Sequence, residues 1–122
     1  MLKLTGPGTY EMEVVGESHY QKELNEICGE RSADGKHIRV EAALVLEKGN
    51  RYDRNAVRVD ISGKTVGYLR REIAALLRKQ FKQDGLREEA VAVDALIQGG
   101  FELDEGGFAN YGVRIDLGQE EA

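Results

Sequence analysis

Apolar and polar positions alternate strictly from Ile38 to Leu46. Ile38, Val40, Ala42, Leu44 and Leu46 fall on one side, and Arg39, Glu41 and Glu47 on the other. A period of two predicts a long strand with one buried face. Val57, Val59 and Ile61 repeat the pattern. They are followed by Ser62-Gly63 and a further run from Val66 to Leu69, so the two runs predict a hairpin around Ser-Gly. Glu88 to Gln98 alternates with apolar residues on both faces, the pattern of a central strand. Asn110 to Leu117 predicts a last strand, with Tyr111, Val113, Ile115 and Leu117 inward. Glu11 to Val15 predicts a short first one, with Met12 and Val14 inward.

Two segments change period. Tyr20, Leu24, Ile27 and Cys28 form one apolar stripe at helical spacing. Ser18 and Gln21 stand at capping-box spacing, which predicts a helix from about His19, ended by Gly29. Ile73, Leu76, Leu77 and Phe81 predict a second helix over about Arg70 to Gln83, with Gly85 able to cap it. Glu30 to Gly35, Gly49 to Asn55 and Gly99 to Gly107 read as loops, and Glu120 to Ala122 as a frayed end. The predicted order is β-α-β-β-β-α-β-β. Helices do not alternate with strands, which disfavours a doubly wound parallel sheet. The expectation is a mainly β, α+β fold: a small, mostly antiparallel barrel with two helices packed on it.

Composition narrows the setting. A chain of 122 residues is the size of one domain, expected over 1–122 with its core from about 12 to 117. A single Cys excludes an internal disulfide framework. The longest strong apolar run, Ala90 to Ile97, is broken by Asp94 and is too short to span a membrane as a helix. Met1 to Gly8 has no apolar core of the signal-peptide kind, so the expected location is the cytoplasm, with no membrane partner.

Charge is unevenly placed. The net charge is −5, yet Lys48 to Lys82 carries ten basic residues against three acids. The rest of the chain holds 7 basic and 19 acidic residues. A basic middle in an acidic chain is either a local anion site or a solvated helix face beside alternating strand charges. Arg78, Lys79 and Lys82 are expected on such a solvated face.

Catalytic chemistry finds little support. His19, His37 and Cys28 show no metal-ligand spacing, Cys28 lies on an apolar helix stripe, and no cofactor is expected. No G-x-S-x-G is present, and Ser18 is accounted for as a cap. His19 and Asp53 could act as a base and its orienting acid only if the fold joined them. The chain is expected not to be an enzyme.

The segment Glu47 to Val59 is the informative one. Between two strands it sets an aromatic, an acid, two Asn and several cations within a few residues. Such a mixture can stack a base, bond a sugar hydroxyl and attract phosphate. It can equally be a turn, in which Asn and Asp bond their own backbone and Tyr52 packs its ring on a strand. The residue types alone leave both readings open.

Three blocks resemble one family. They are Val14-Val15-Gly16-Glu17-Ser18-His19-Tyr20-Gln21, then Asn50-x-Tyr52-Asp53-x-Asn55-Ala56-Val57-x-Val59, then Val66-Gly67-Tyr68-Leu69-Arg70-Arg71-Glu72-Ile73-Ala74. In this order and spacing they resemble a HIRAN domain, over essentially Met12 to Leu117. The resemblance implies a modified OB-like β-barrel with two helices, a known scaffold for single strands. HIRAN domains occur in fork-remodelling ATPases and as stand-alone bacterial proteins, and the former capture the free 3′ end of single-stranded DNA. Carried over, Tyr52 stacks on a terminal base, Asp53 bonds the 3′ hydroxyl, and Asn50 opens the loop. His19 holds the place of a second stacking aromatic, Arg71 that of a phosphate contact, and Phe108 that of an aromatic near the pocket. Two positions depart from the pattern. Ser18 stands where DNA-binding members carry a phosphate-binding Arg, and Arg51 where Pro is usual.

The resulting expectation is a noncatalytic module that binds single-stranded DNA at its 3′ end, in repair or the processing of stalled forks. Its protein partner would be a DNA-processing ATPase or nuclease. The alternative is a protein-interaction module that uses the same groove or a barrel edge for a peptide. A nuclease or phosphohydrolase accessory is a third option.

Overall fold

The structure, a computed structural model, describes residues 1–29 and 32–118. The expected frayed end at Glu120 to Ala122, and Glu30 and Arg31 of the expected loop, lie outside them. Among the described residues seven strands form one curled sheet. They are β1 (Lys3–Leu4), β2 (Met12–Glu13), β3 (Lys36–Leu46), β4 (Val57–Ile61), β5 (Lys64–Tyr68), β6 (Ala90–Gly99) and β7 (Tyr111–Ile115). Two helices, α1 (Gln21–Cys28) and α2 (Arg71–Gln83), join them. The fold is the expected α+β barrel, mainly β.

The sheet order is β2-β7-β6-β3-β4-β5, with antiparallel neighbours throughout. β3 and β6 pair over ten residues, from Lys36↔Gly99 to Val45↔Ala90. As its pattern predicted, β6 is central. Val91, Val93, Ala95 and Ile97 face the core and are fully buried, and Ala92 and Leu96 are covered on the other side. The inward positions of β4, β5 and β7 complete the core with Val57, Val59, Ile61, Val66, Tyr111, Val113 and Ile115. Leu24 from α1 and Ala74 and Phe81 from α2 close over it. The partly buried Cys28 packs against this core, and burial pushes its thiol up.

The hairpin between β4 and β5 turns at Ser62 and Gly63, both with positive φ, 52° and 75°. Left-handed backbone at both turn positions matches the twist of the strands, and Gly63 adopts it without steric cost. A register shift after Val59 then puts Gly67 opposite Val59. Gly67 serves a different need. A Cβ there would lie 2.5 Å from Val14 Cγ1 and 2.7 Å from the Val15 carbonyl. Its absence lets the chain after β2 approach β5. The Val15 N–H donates to the Tyr68 carbonyl at 2.8 Å, and the Tyr68 N–H donates back at 2.9 Å. With Val14 bonded to Val113 on the other side, this bridge joins the two ends of the sheet.

Two expectations are corrected. The strand near Glu11 to Val15 is not the first: β1 precedes it and pairs in parallel with β6, Lys3↔Ala92 and Leu4↔Val93. The buried Asp116 fixes this segment by accepting the Gly8 N–H at 2.8 Å. The capping box at Ser18 does not form either. Glu17–His19 is a short 3-10 turn, and α1 starts at Gln21 without a side-chain cap. The Gln21 amide donates to the Tyr111 carbonyl and accepts from the Tyr111 N–H, so it ties the helix to β7 instead.

Candidate nucleic-acid interface

The loop between β3 and β4 is built from side chains that imitate backbone. Asn50 Oδ1 accepts the N–H groups of Tyr52 at 2.9 Å and Asp53 at 3.0 Å. Asp53 Oδ1 accepts the Asn55 N–H at 2.9 Å. These are successive Asx-type turns, available to Asn and Asp because their short side chains hold an acceptor two bonds from Cβ, within reach of the next backbone N–H groups. The turn reading of the loop is therefore correct for Asn50, Asp53 and Asn55.

It fails for Tyr52. The Tyr52 residue is 81% exposed, so its ring packs on no strand. The ring stands at the rim of an open cleft of about 360 Å³, lined by Val15, Asn50, Tyr52, Asp53, Ala56, Tyr68, Leu69 and Arg71. Arg71, the first residue of α2, reaches across the cleft. Its Nη2 donates to the Tyr52 carbonyl, and its Nε lies 3.6 Å from Asp53 Oδ2. Arg70, the residue before α2, supplies no side-chain cap, so Arg71 stands beside helix N–H groups that point outward.

Four of the six candidate residues, Asn50, Tyr52, Asp53 and Arg71, thus meet in one cleft. His19 and Phe108 do not line it. His19 ends the exposed 3-10 turn, four residues beyond Val15. Phe108 is exposed on the loop between β6 and β7, bridged to Glu102. The His19–Asp53 pair is not formed: the Asp53 carboxylate is engaged by Arg71 and by the Asn55 N–H. Among the described residues, no three His, Cys, Asp or Glu side chains are grouped to hold a metal ion.

Two residues behind the cleft escape the sequence patterns. The first is Glu47. Its Oε1 accepts Asn50 Nδ2 at 2.9 Å, and its Oε2 accepts the Tyr68 hydroxyl at 3.1 Å and Arg58 Nη1 at 3.3 Å. Burial, and then this carboxylate, push the Tyr68 phenol up to about 12. Asp60 and Glu47 together hold the Arg58 guanidinium more firmly protonated.

The second is Arg78, expected on a solvated face and found instead under the loop. Its Nε donates to the Asn55 carbonyl at 2.9 Å. Its Nη2 donates to the carbonyls of Glu47 at 2.6 Å and Ala56 at 2.8 Å. The planar fork of Arg reaches backbone on both sides of the loop at once.

The remaining cations divide. Lys48 pairs with Glu89, Lys64 with Glu26, and Arg58 with Glu47 and Asp60. Arg51 and Arg54, which flank Tyr52 and Asp53, are exposed and make no ion pair among the described residues. So the loop tip carries free positive charge beside an exposed ring.

No helix among the described residues is long and apolar enough to cross a membrane. In comparison with family models, residues 7–96 match the HIRAN domain. No curated protein and no solved structure matches the chain.

Proposed function

The chain belongs to the HIRAN domain family, and on that membership, which supports nucleic-acid binding, we propose that it is a noncatalytic module for the free 3′ end of single-stranded DNA. One observation carries the reading. An almost fully exposed Tyr52 ring stands beside a partly covered Asp53 carboxylate and the Arg71 guanidinium. A ring face stacks a base of any sequence. A carboxylate at hydrogen-bond reach of that base's sugar accepts a hydroxyl. A guanidinium beside open helix N–H groups receives a phosphate. The free charge of Arg51 and Arg54 favours an anion at the same rim. Arg51 adds a cation to this loop where the family pattern has Pro, while Ser18 lacks the Arg of DNA-binding members.

Such a module serves repair or the processing of stalled forks, alongside a DNA-processing ATPase or nuclease as its protein partner. A peptide added as an extra strand on β5 is less well supported. Val15 already occupies the β5 backbone at Tyr68, and Lys64 is tied to Glu26 of α1.

The test is a fluorescence titration with a short oligonucleotide carrying either a 3′ hydroxyl or a 3′ phosphate. The phosphate removes the donor to Asp53 and adds repulsion, so the hydroxyl end should bind more tightly by about 1.5–3 kcal/mol. Equal affinity for the two ends removes Asp53 from this role. No binding of either end refutes the reading.

A further inference from the structure

We propose that Glu47 is the positioning residue of this cleft: it sets which way the Asn50 amide faces, and through that amide it aims Tyr52 and Asp53. The consequence for DNA rests on the function proposed above, while the geometry does not. Tyr52 has no packing to hold it, so the direction of its ring depends on the backbone beneath. That backbone is held by Asn50 Oδ1, which accepts the N–H groups of Tyr52 and Asp53.

An amide has a donor end and an acceptor end of nearly equal shape. Flipped, Asn50 would present its NH2 to two N–H donors and release both. Glu47 Oε1 prevents this by accepting Asn50 Nδ2 at 2.9 Å. Glu47 is itself fixed at every polar group. Its N–H donates to the Ala56 carbonyl at 3.0 Å, and its carbonyl accepts Arg78 Nη2. Its second carboxylate oxygen accepts Arg58 and Tyr68. Both carboxylate oxygens are therefore needed as acceptors, and only an acid supplies two. Tyr68 and Asn50 also line the cleft, so the residue behind it touches two of its walls.

This pattern of donors and acceptors can be exchanged. Glu47→Gln alone sets an NH2 either against Asn50 Nδ2 or against Arg58 and Tyr68. Asn50→Asp alone sets two carboxylates face to face. In the double variant Glu47→Gln/Asn50→Asp, the Gln amide donates to the new carboxylate, and its oxygen still accepts Arg58 and Tyr68. The other carboxylate oxygen still accepts Tyr52 and Asp53. Every hydrogen bond is kept with the roles of two atoms reversed.

Two measurements on the three variants test this. The first is amide hydrogen exchange at Tyr52 and Asp53 in the free protein. Each single variant should exchange faster at these two amides by about tenfold or more, and the double should return to within about threefold of wild type. The second is the titration with the 3′-hydroxyl oligonucleotide, where affinity should follow the same cycle. Melting temperatures identify any single variant that loses the fold, and the double variant then decides alone. If the double shows no recovery in exchange, the positioning role is overturned. If exchange recovers and affinity does not, Glu47 aims the loop but the loop is not the DNA site. If the wild-type protein binds no oligonucleotide, the functional reading fails and the exchange cycle still decides the role of Glu47.

Discussion

Arg78→Ala should be among the most damaging single changes outside the apolar core. The side chain contributes three hydrogen bonds from a charged donor to the carbonyls of Glu47, Asn55 and Ala56. A bond to a charged group contributes about 1.5–3 kcal/mol. The three share one guanidinium, and truncation lets water reach the freed carbonyls. The loss is then closer to one or two bonds than to three, about 2–4 kcal/mol. For a chain of this length each kcal/mol lowers the melting temperature by about 3–5 °C, so a drop of about 6–20 °C is expected. Urea unfolding should show a lower midpoint with an unchanged slope, because the same surface is exposed on unfolding. Arg78→Lys should recover less than half of the loss, since one ammonium cannot span carbonyls on both sides of the loop. Lys79→Ala and Lys82→Ala on the same helix are the internal comparison. Both are exposed and without ion pairs among the described residues, so each should stay within about 0.5 kcal/mol of wild type. An Arg78→Ala protein as stable as the Lys79→Ala protein would return Arg78 to the solvated face and refute the clamp.

Tyr52→Ala should leave stability unchanged, because the residue is exposed, and on the proposed stacking role it should weaken oligonucleotide binding by about 1–3 kcal/mol; a large fall in melting temperature would count against that assignment. Arg71→Ala breaks an ion pair with Asp53 whose Arg side is 73% exposed, so stability should change by at most about 1 kcal/mol. In binding, the log–log salt dependence should flatten by about 0.7, the single-strand value for one phosphate contact, and an unchanged slope would exclude that contact. The Tyr68 phenol, raised to about 12 from 10.0, binds its proton more tightly in the folded protein. Its contribution to stability is therefore complete below pH 10 and lost as pH rises from 10.0 to about 12. Ultraviolet titration of Tyr68→Phe should lack one phenolate step near 12, and a missing step near 10 would show that neither burial nor Glu47 acts on it. Gly67→Ala forces a methyl to within 2.5 Å of Val14 Cγ1, so it should cost about 1–3 kcal/mol in thermal unfolding, whereas a neutral result would mean that the Val15–Tyr68 bridge adjusts freely.

What was legible in the sequence was local. The alternation of β3 and the two apolar faces of β6 are properties of single segments, and they mark an edge-to-core position without knowledge of partners. Ser62-Gly63 announces its turn by residue type. Asn50, Asp53 and Asn55 lie within six residues and bond one another, so their spacing carries the loop geometry. What was not legible depends on atoms far apart in the chain. β1 is two residues long and is held by a partner about ninety residues away. Gln21 abandons the expected cap because Tyr111, also ninety residues away, offers it a donor and an acceptor together. Arg78 bonds only backbone carbonyls, which have no signature in a sequence, so its helical position reads as surface. Glu47 reads as the outward end of β3, and only Asn50 three residues later hints at a turn partner. Arg71 joined the candidate site through the family resemblance, and the fold brings it to Asp53 across eighteen residues.

The cleft and the closure of the barrel share one residue, which explains why the site lies where it does. The Tyr68 backbone makes the bridge to Val15, its side chain lines the cleft, and its hydroxyl bonds Glu47. The chain after β2 must therefore dock on β5 before the cleft has its Val15 wall. Arg78 and Glu47 then fix the base of the β3–β4 loop to α2 and β5, while its tip, with Arg51, Tyr52 and Arg54, stays exposed. Rigidity at the base and exposure at the tip are complementary needs for a stacking site. A ring held out in water without packing gains affinity only if its backbone is already ordered, since ordering it on binding would cost conformational entropy. The polar groups behind the loop supply that order at a point where an apolar contact would have to cover the ring itself. This accounts for a partly buried acid, an arginine fork and a tyrosine hydroxyl beneath a surface loop that a simple hairpin turn would not require.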